Sequence, residues 1–169
     1  MKTLHWTLLP LFIWFVVVQP SDVARIGPQA VRLHSVFGLI FVTLALIWSA
    51  DYLFRGLAGR PGPKLKGRLR PFHQILHKVL IWGLFLVALT GFLLGVTASR
   101  QLFAGDLVPI GVPLGLPRAN DFVGLVHTVE FYGLAVVAAV HALFHIWRHI
   151  WLRDNALRIM VPKMFHRFL

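Results

Sequence analysis

The stretch His127-Thr-Val-Glu-Phe-Tyr-Gly-Leu-Ala-Val-Val-Ala-Ala-Val-His141 decides how this chain is read. It is an apolar run with a histidine at each end and one acid, Glu130, between them. On a helix rising 1.5 Å and turning 100° per residue, 14 steps cover about 21 Å and stop about 40° short of a whole number of turns. The two imidazoles therefore share a face, one near each surface of a hydrocarbon layer roughly 30 Å thick. Ionisable groups in such a layer are costly and point to function.

Working outward, this run belongs to an apolar segment from about Phe122 to Trp151, and three more precede it. They run over Leu4–Val18, closed by Gln19-Pro20, over about Leu33–Phe54 and over about Phe72–Thr97. The last three each exceed the ~20 residues a membrane-crossing helix needs. The first is short unless it draws on the whole N-terminus from Met1. A signal peptide is its competing reading, opposed by the missing small-residue cleavage site after Val18 and the polar His5-Trp6 pair at its start. The expected fold is all-α: one integral-membrane four-helix domain over residues 1–169, with helices at about 3–19, 33–54, 72–97 and 122–151.

Composition agrees. Of 169 residues 57% are apolar and 14% charged, whereas a soluble domain carries about a quarter charged residues. This hydrophobicity excludes intrinsic disorder. The absence of cysteine excludes a disulfide scaffold, thiolate metal sites and covalently attached c-type haem. A net charge of +11 would suggest nucleic acid in a soluble protein. Here the bases flank apolar runs and no nucleic-acid motif accompanies them, so the expected partner is membrane lipid, not nucleic acid.

The bases also orient the chain. Arg55, Arg60, Lys64, Lys66, Arg68 and Arg70 separate the second and third segments, and Arg148, Arg153, Arg158, Lys163 and Arg167 follow the fourth. With Lys2 these fall on one side, against Arg25, Arg32, Arg100 and Arg118 on the other. The positive-inside rule then places both termini in the cytoplasm. Trp6, Trp14, Trp82, Trp147 and Trp151 stand towards the helix ends, as interfacial anchors do. Between the third and fourth segments, Ala98–Asp121 holds Val108-Pro-Ile-Gly-Val-Pro-Leu-Gly-Leu-Pro117, too broken to span and too apolar to be fully solvated. It reads as a lid over the outer mouth of the bundle.

Two imidazoles on one helix face suit two stacked cofactors, each gripped by a histidine from a facing helix. Bis-imidazole iron porphyrin is the chemistry that needs no cysteine, hence two haem b. At the outer level His34 opens the second helix opposite His127. At the inner level His141 faces His5, His73 and His77. Depth counted from the loop charges matches His77 better than His5, and periodicity leaves the pairing open. Gly38, Gly91, Gly95 and Gly133 would let a flat macrocycle approach the backbone, or serve plain helix packing.

The ordered set of His5-Trp6, His34 followed by Gly38, His77 leading a run to Gly91, the His127/His141 pair and the tail Arg153-Asp-Asn-Ala-Leu-Arg-Ile-Met-Val-Pro162 resembles the bacterial cytochrome b561 family. The likeness covers essentially the whole chain and extends to the cytochrome b subunits of formate dehydrogenase and nickel–iron hydrogenase. It implies His34 with His127 for the outer haem and His5 with His141 for the inner, with His77 as the alternative inner ligand. It further implies electron transfer between a small periplasmic donor and ubiquinone or menaquinone. The donor is superoxide in the best-known small member, which would make the chain a superoxide:quinone oxidoreductase. Two departures stand out. Thr128, not glutamate, follows the outer helix-four histidine, and Arg148 stands where the family often has a histidine near the quinone.

Other polar residues carry weaker expectations. Arg68, Arg70 and Arg148 are placed where inner propionates would emerge, with Arg148 the one assigned to cofactor binding. Arg32, Arg100 and Arg118 would steer a small anion or merely flank the membrane. His141, His145 and His149 form a stripe at i+4 steps towards the cytoplasm, a proton path or an interfacial row. His73 and His77, one turn apart, would chelate a metal ion, but two ligands do not close a zinc site. Asp51 is expected to pair with a nearby base. Glu130 is expected to tune the outer haem or to make an interhelical hydrogen bond. Two rival functions remain: a haem-bearing membrane anchor for a protein partner such as a separate dehydrogenase, and a histidine-based metal transporter.

Overall fold

The computed structural model describes residues 2–57, 62–161 and 163–168. Met1, Arg60 and Pro162, used above for the first segment, the basic loop and the tail motif, lie outside the described residues. The described residues form α1 (Lys2–Val17), α2 (Pro20–Ile26), α3 (Pro28–Arg55), α4 (Leu69–Thr97), α5 (Pro117–Trp147) and α6 (Ala156–Met160). A π-helical turn, Arg148–Leu152, prolongs α5, and a two-stranded ribbon, β1 (Phe103–Ala104) with β2 (Val108–Pro109), lies between α4 and α5. Three helices, α3, α4 and α5 with its π turn, are long and apolar enough to cross a membrane. α1 and α2 pass the same test only as a pair, with a bend of 78° between them. The architecture is the all-α membrane bundle expected from the sequence.

Proline sets the helix boundaries. Gln19-Pro20 stops α1 at Val17, because proline disfavours helix at the residue before it. The same Pro20 then opens α2 from the first turn, where its missing N–H costs nothing. Asp22 Oδ2 accepts the Gln19 N–H at 2.9 Å, closing the bend. α3 starts at Pro28 and α5 at Pro117, ahead of the expected 33 and 122, again with proline in the first turn. The residues gained, 28–32 and 117–121, are too polar to show in a hydrophobicity profile.

α4 is the packing axis. A third of its most apolar window is buried (33%), against 11% in each of α3 and α5, whose apolar side chains face outward to lipid. Leu8 and Phe12 from α1, Phe41 and Ala45 from α3, Leu84 and Val87 from α4 and Leu134 from α5 form one buried layer. Phe12 stacks on Phe41 at 6.2 Å and tilts against Phe131 at 5.2 Å. α1 is thus part of the core, and the layer divides the bundle into two halves, referred to as inner and outer after the sides expected from the charge pattern.

The outer connection folds as the expected lid. Gly105 and Asp106, both at φ near +60°, turn β1 into β2 with the backbone twist a tight hairpin favours. The Gly105 N–H donates to Ser35 Oγ at 2.9 Å, and Arg32 forms an ion pair with Asp106, so the hairpin is tied to the start of α3. Gln101 Nε2 donates to the Gly111 carbonyl at 2.6 Å. Ile110 lies so close over Gly95 that any side chain there would strike its carbonyl oxygen.

At the inner end the chain reverses through Arg153 and Asn155, both left-handed (φ 49° and 58°). This drops Asp154 back onto Arg148. Asp154 Oδ2 accepts from Arg148 Nε at 2.8 Å and Nη2 at 2.6 Å, and the two side chains are 1% and 2% exposed. Oδ1 accepts the Ala156 N–H at 3.0 Å and so starts α6. Gly62 of the inner loop sits on this ion pair, and Lys64 Nζ donates to the Arg153 carbonyl at 2.8 Å. Asp51 pairs with Arg55 one turn on, at 3.3 Å.

Candidate functional site

Two cavities flank the core layer. The inner one, about 330 Å³, is lined by His5 of α1, His77 of α4, His141 and His145 of α5, and Ala156, Leu157 and Val161 at its floor. The outer one, about 510 Å³, is lined by His34 of α3, His127 of α5, Gly38, Gly91, Gly95 and the hairpin residues Ala104, Val108 and Pro109. Both volumes fall in the range of roughly 300–1,000 Å³ typical of enclosed ligand and cofactor sites. Their walls are overwhelmingly apolar, with histidine the recurring polar group.

The paired placement follows from helix geometry. His127 and His141 share a face of α5, so one reaches each cavity, as the 14-residue spacing requires. In the outer cavity His34 packs edge-on against Phe15 at 4.9 Å, and its Nδ1 is buried without a partner among the described residues. His127 is held differently. Its Nδ1 lies 2.8 Å from Thr90 Oγ1, and Thr90 in turn donates to Glu130 Oε2 at 3.0 Å. The single Thr90 hydroxyl proton has acceptors in the Leu86 carbonyl and Glu130 Oε2, both at 3.0 Å; with it donated to either, Nδ1–H of His127 donates to Thr90 Oγ1 and Nε2 keeps its lone pair. This is how metal-bound imidazoles are held in general. Gly91 lies directly against the ring, where a Cβ would stand 3.4 Å from its Cε1.

In the inner cavity His5 packs edge-on between Trp6 and Trp48 at 6.1 and 5.8 Å. The His141 ring touches His77 at 4.7 Å and His145 at 4.5 Å, and its Nδ1 is buried without a partner among the described residues. Depth counting paired His77 with His141, and the structure brings those two into contact. Arg148, expected beside the cofactor, spends Nε and Nη2 on Asp154. Arg68 and Arg70 are exposed at the inner end, and Arg32 is taken by Asp106. Glu130 makes the interhelical bond through Thr90.

Unpartnered buried nitrogens in an apolar cavity cost about 1–3 kcal/mol each. Neutral imidazoles with free lone pairs, glycine-thinned helix faces and apolar walls together fit a flat iron porphyrin, and that donor set fits b-type haem. A model of the prokaryotic cytochrome b561 family matches residues 1–163, nearly the full length. The chain belongs to that family. No curated protein and no solved structure matches it. It is therefore a haem-binding b-type cytochrome, a multi-pass prokaryotic membrane protein that carries electrons.

Sequence reasoning missed Thr90. It lies in an apolar run, and its one signal was a position directly before Gly91, on the turn of α4 that faces His127. It also left Asp154 inside a tail motif without a role, because the reversal that buries it against Arg148 has no periodic signature.

Proposed function

We propose that this b561 cytochrome holds two b haems, the outer between His34 and His127 and the inner between His5 and His141. In this reading it passes electrons between a small periplasmic donor and membrane quinone, with both termini in the cytoplasm. The carrying observation is that two separate histidine-lined cavities stack along one helix, with His127 of α5 in one and His141, 14 residues on, in the other. Bound haem supplies reversible one-electron transfer. The chain's residues do the rest.

His127 is oriented by Thr90, so its Nε2 faces the cavity in a fixed tautomer. The 4.7 Å edge contact between His77 and His141 leaves no gap for a macrocycle between those two rings. This supports His5, across the cavity, as the partner of His141. Arg148 is buried against Asp154 and is not among the residues lining the inner cavity, so it supports the cavity floor instead of reaching a propionate. The hairpin lends the outer cavity apolar lining through Ala104, Val108 and Pro109, a setting that suits a small donor. With superoxide as donor, two anions each lose one electron to leave dioxygen, and one quinone takes both electrons with two protons to give the quinol.

A dithionite-reduced minus air-oxidised spectrum of the purified chain, with haem-to-protein stoichiometry, tests this reading. A b-type α-band with two haems per chain is expected, and one haem or a flat spectrum overturns it. His5→Ala is expected to lose one haem and His77→Ala none. Superoxide-dependent reduction of a quinone analogue without any added subunit marks a stand-alone oxidoreductase. Reduction only in the presence of a dehydrogenase marks a haem-bearing anchor.

A further inference from the structure

His73, His77 and His145 converge at the inner end of the bundle, from one turn of α4 and the facing turn of α5. Their ligand nitrogens lie within 4.8 Å of one another. The rings of His73 and His77 stand 4.2 Å apart, and each lies 5.6 Å from His145. The sequence offered only two ligands here, and the fold supplies the third.

We propose that these three imidazoles bind a divalent transition-metal ion of the zinc class, at a site separate from the haem irons. Three features point to it. First, the His77 Nδ1–H donates to the His73 carbonyl at 2.7 Å, which fixes the tautomer and leaves Nε2 as a free lone pair. Backbone carbonyls orient metal-ligating histidines in this way. Second, His73 is 1% exposed with Nδ1 unpartnered, and both ring nitrogens of His145 are buried without partners among the described residues. A neutral imidazole in that position is stabilised by donating its lone pair to a cation. Third, the donors are all nitrogen and the chain has no cysteine, which suits zinc, copper or nickel and disfavours calcium and magnesium.

Zinc–imidazole bonds of ~2.0–2.1 Å place tetrahedral ligand nitrogens roughly 3.3 Å apart. The three side chains thus close on an ion by moving about 1 Å, within rotamer adjustment. Three protein ligands leave the fourth position open, as in sites where a metal meets a small ligand.

The inference rests on His5, not His77, holding the inner haem, and the test separates the two. Haem-loaded full-length protein is stripped with a chelator and titrated with Zn²⁺, with bound zinc counted by atomic emission and haem by its pyridine complex. One zinc per chain is expected, together with two haems. His73→Gln is expected to weaken zinc binding by about 100-fold at unchanged haem content, and His145→Gln to weaken it by a similar factor. His77→Gln is expected to abolish zinc binding and leave both haems. Loss of a haem in His77→Gln overturns the inner-ligand reading and this inference with it. Wild type and the His73→Gln/His145→Gln variant binding the same amount of zinc, with two haems retained in His77→Gln, overturns the metal site alone.

Discussion

Cutting the buried ion pair at the inner end tests how the cavity floor is held. Asp154 accepts two bonds from Arg148, at 2.6 and 2.8 Å, from side chains that are 1% and 2% exposed. Water does not screen this pair. Asp154→Ala leaves a buried guanidinium without a partner, which costs about 3–5 kcal/mol. At about 2–4 °C per kcal/mol for a chain of this size, a loss near 4 kcal/mol lowers Tm by about 8–16 °C. The same substitution frees the Ala156 N–H and with it α6, which gives the inner cavity Ala156 and Leu157. Haem release is therefore expected to begin at the inner site.

The assay is a circular-dichroism melt in detergent micelles, followed in parallel at the haem band. Asp154→Asn, which keeps an acceptor but loses the charge, is expected to fall between wild type and Asp154→Ala. Arg148→Met/Asp154→Leu removes both charges together and is expected to recover most of the loss, since apolar replacement of a buried pair is close to neutral. An Asp154→Ala protein that melts within about 2 °C of wild type with its haem complement intact would refute the reasoning. A double variant as unstable as Asp154→Ala would assign the cost to packing instead of charge.

Other outcomes follow from the outer half. If the chain holds the two haems proposed above, His34→Ala and His127→Ala each lower the count from two to one by the pyridine complex; a variant that keeps two haems removes that residue from the ligand set. Thr90→Val deletes one acceptor of the His127 N–H at nearly constant volume and leaves the Val87 carbonyl. The imidazole becomes less electron-rich, so one midpoint potential is expected to rise by about 40 mV, the equivalent of one hydrogen bond of about 1 kcal/mol. Spectroelectrochemical titration reads it, and two unmoved potentials would show that Thr90 does not hold the ligand. Gly95→Val drives a side chain into the Ile110 carbonyl. It is expected to lift the hairpin and speed proteolysis within 101–116, while cleavage at the wild-type rate would show that the lid is not seated on α4.

The sequence by itself determined the class and the vertical arrangement. Apolar segments of membrane length specify an all-α bundle, because only internally hydrogen-bonded backbone is stable in hydrocarbon. The His127–His141 spacing sets one imidazole at each level through helix pitch alone, and His34 is placed by its position in the second turn of α3. Proline positions at 20, 28 and 117 carried the true helix starts, but polar neighbours hid them from a hydrophobicity profile. Lateral relations were a different matter. Which of His5 and His77 faces His141, that His145 joins His73 and His77, that Thr90 bridges His127 and Glu130, and that Asp154 returns onto Arg148 all depend on how one helix is rotated against its neighbour. That rotation is settled by the packing of the shared layer around Phe12, Phe41, Ala45 and Leu134. Helices with lipid-facing apolar surfaces all round carry almost no amphipathic signal to announce it: in a membrane the outside of the protein is as apolar as the inside, so the rotation is decided by side-chain fit in three dimensions.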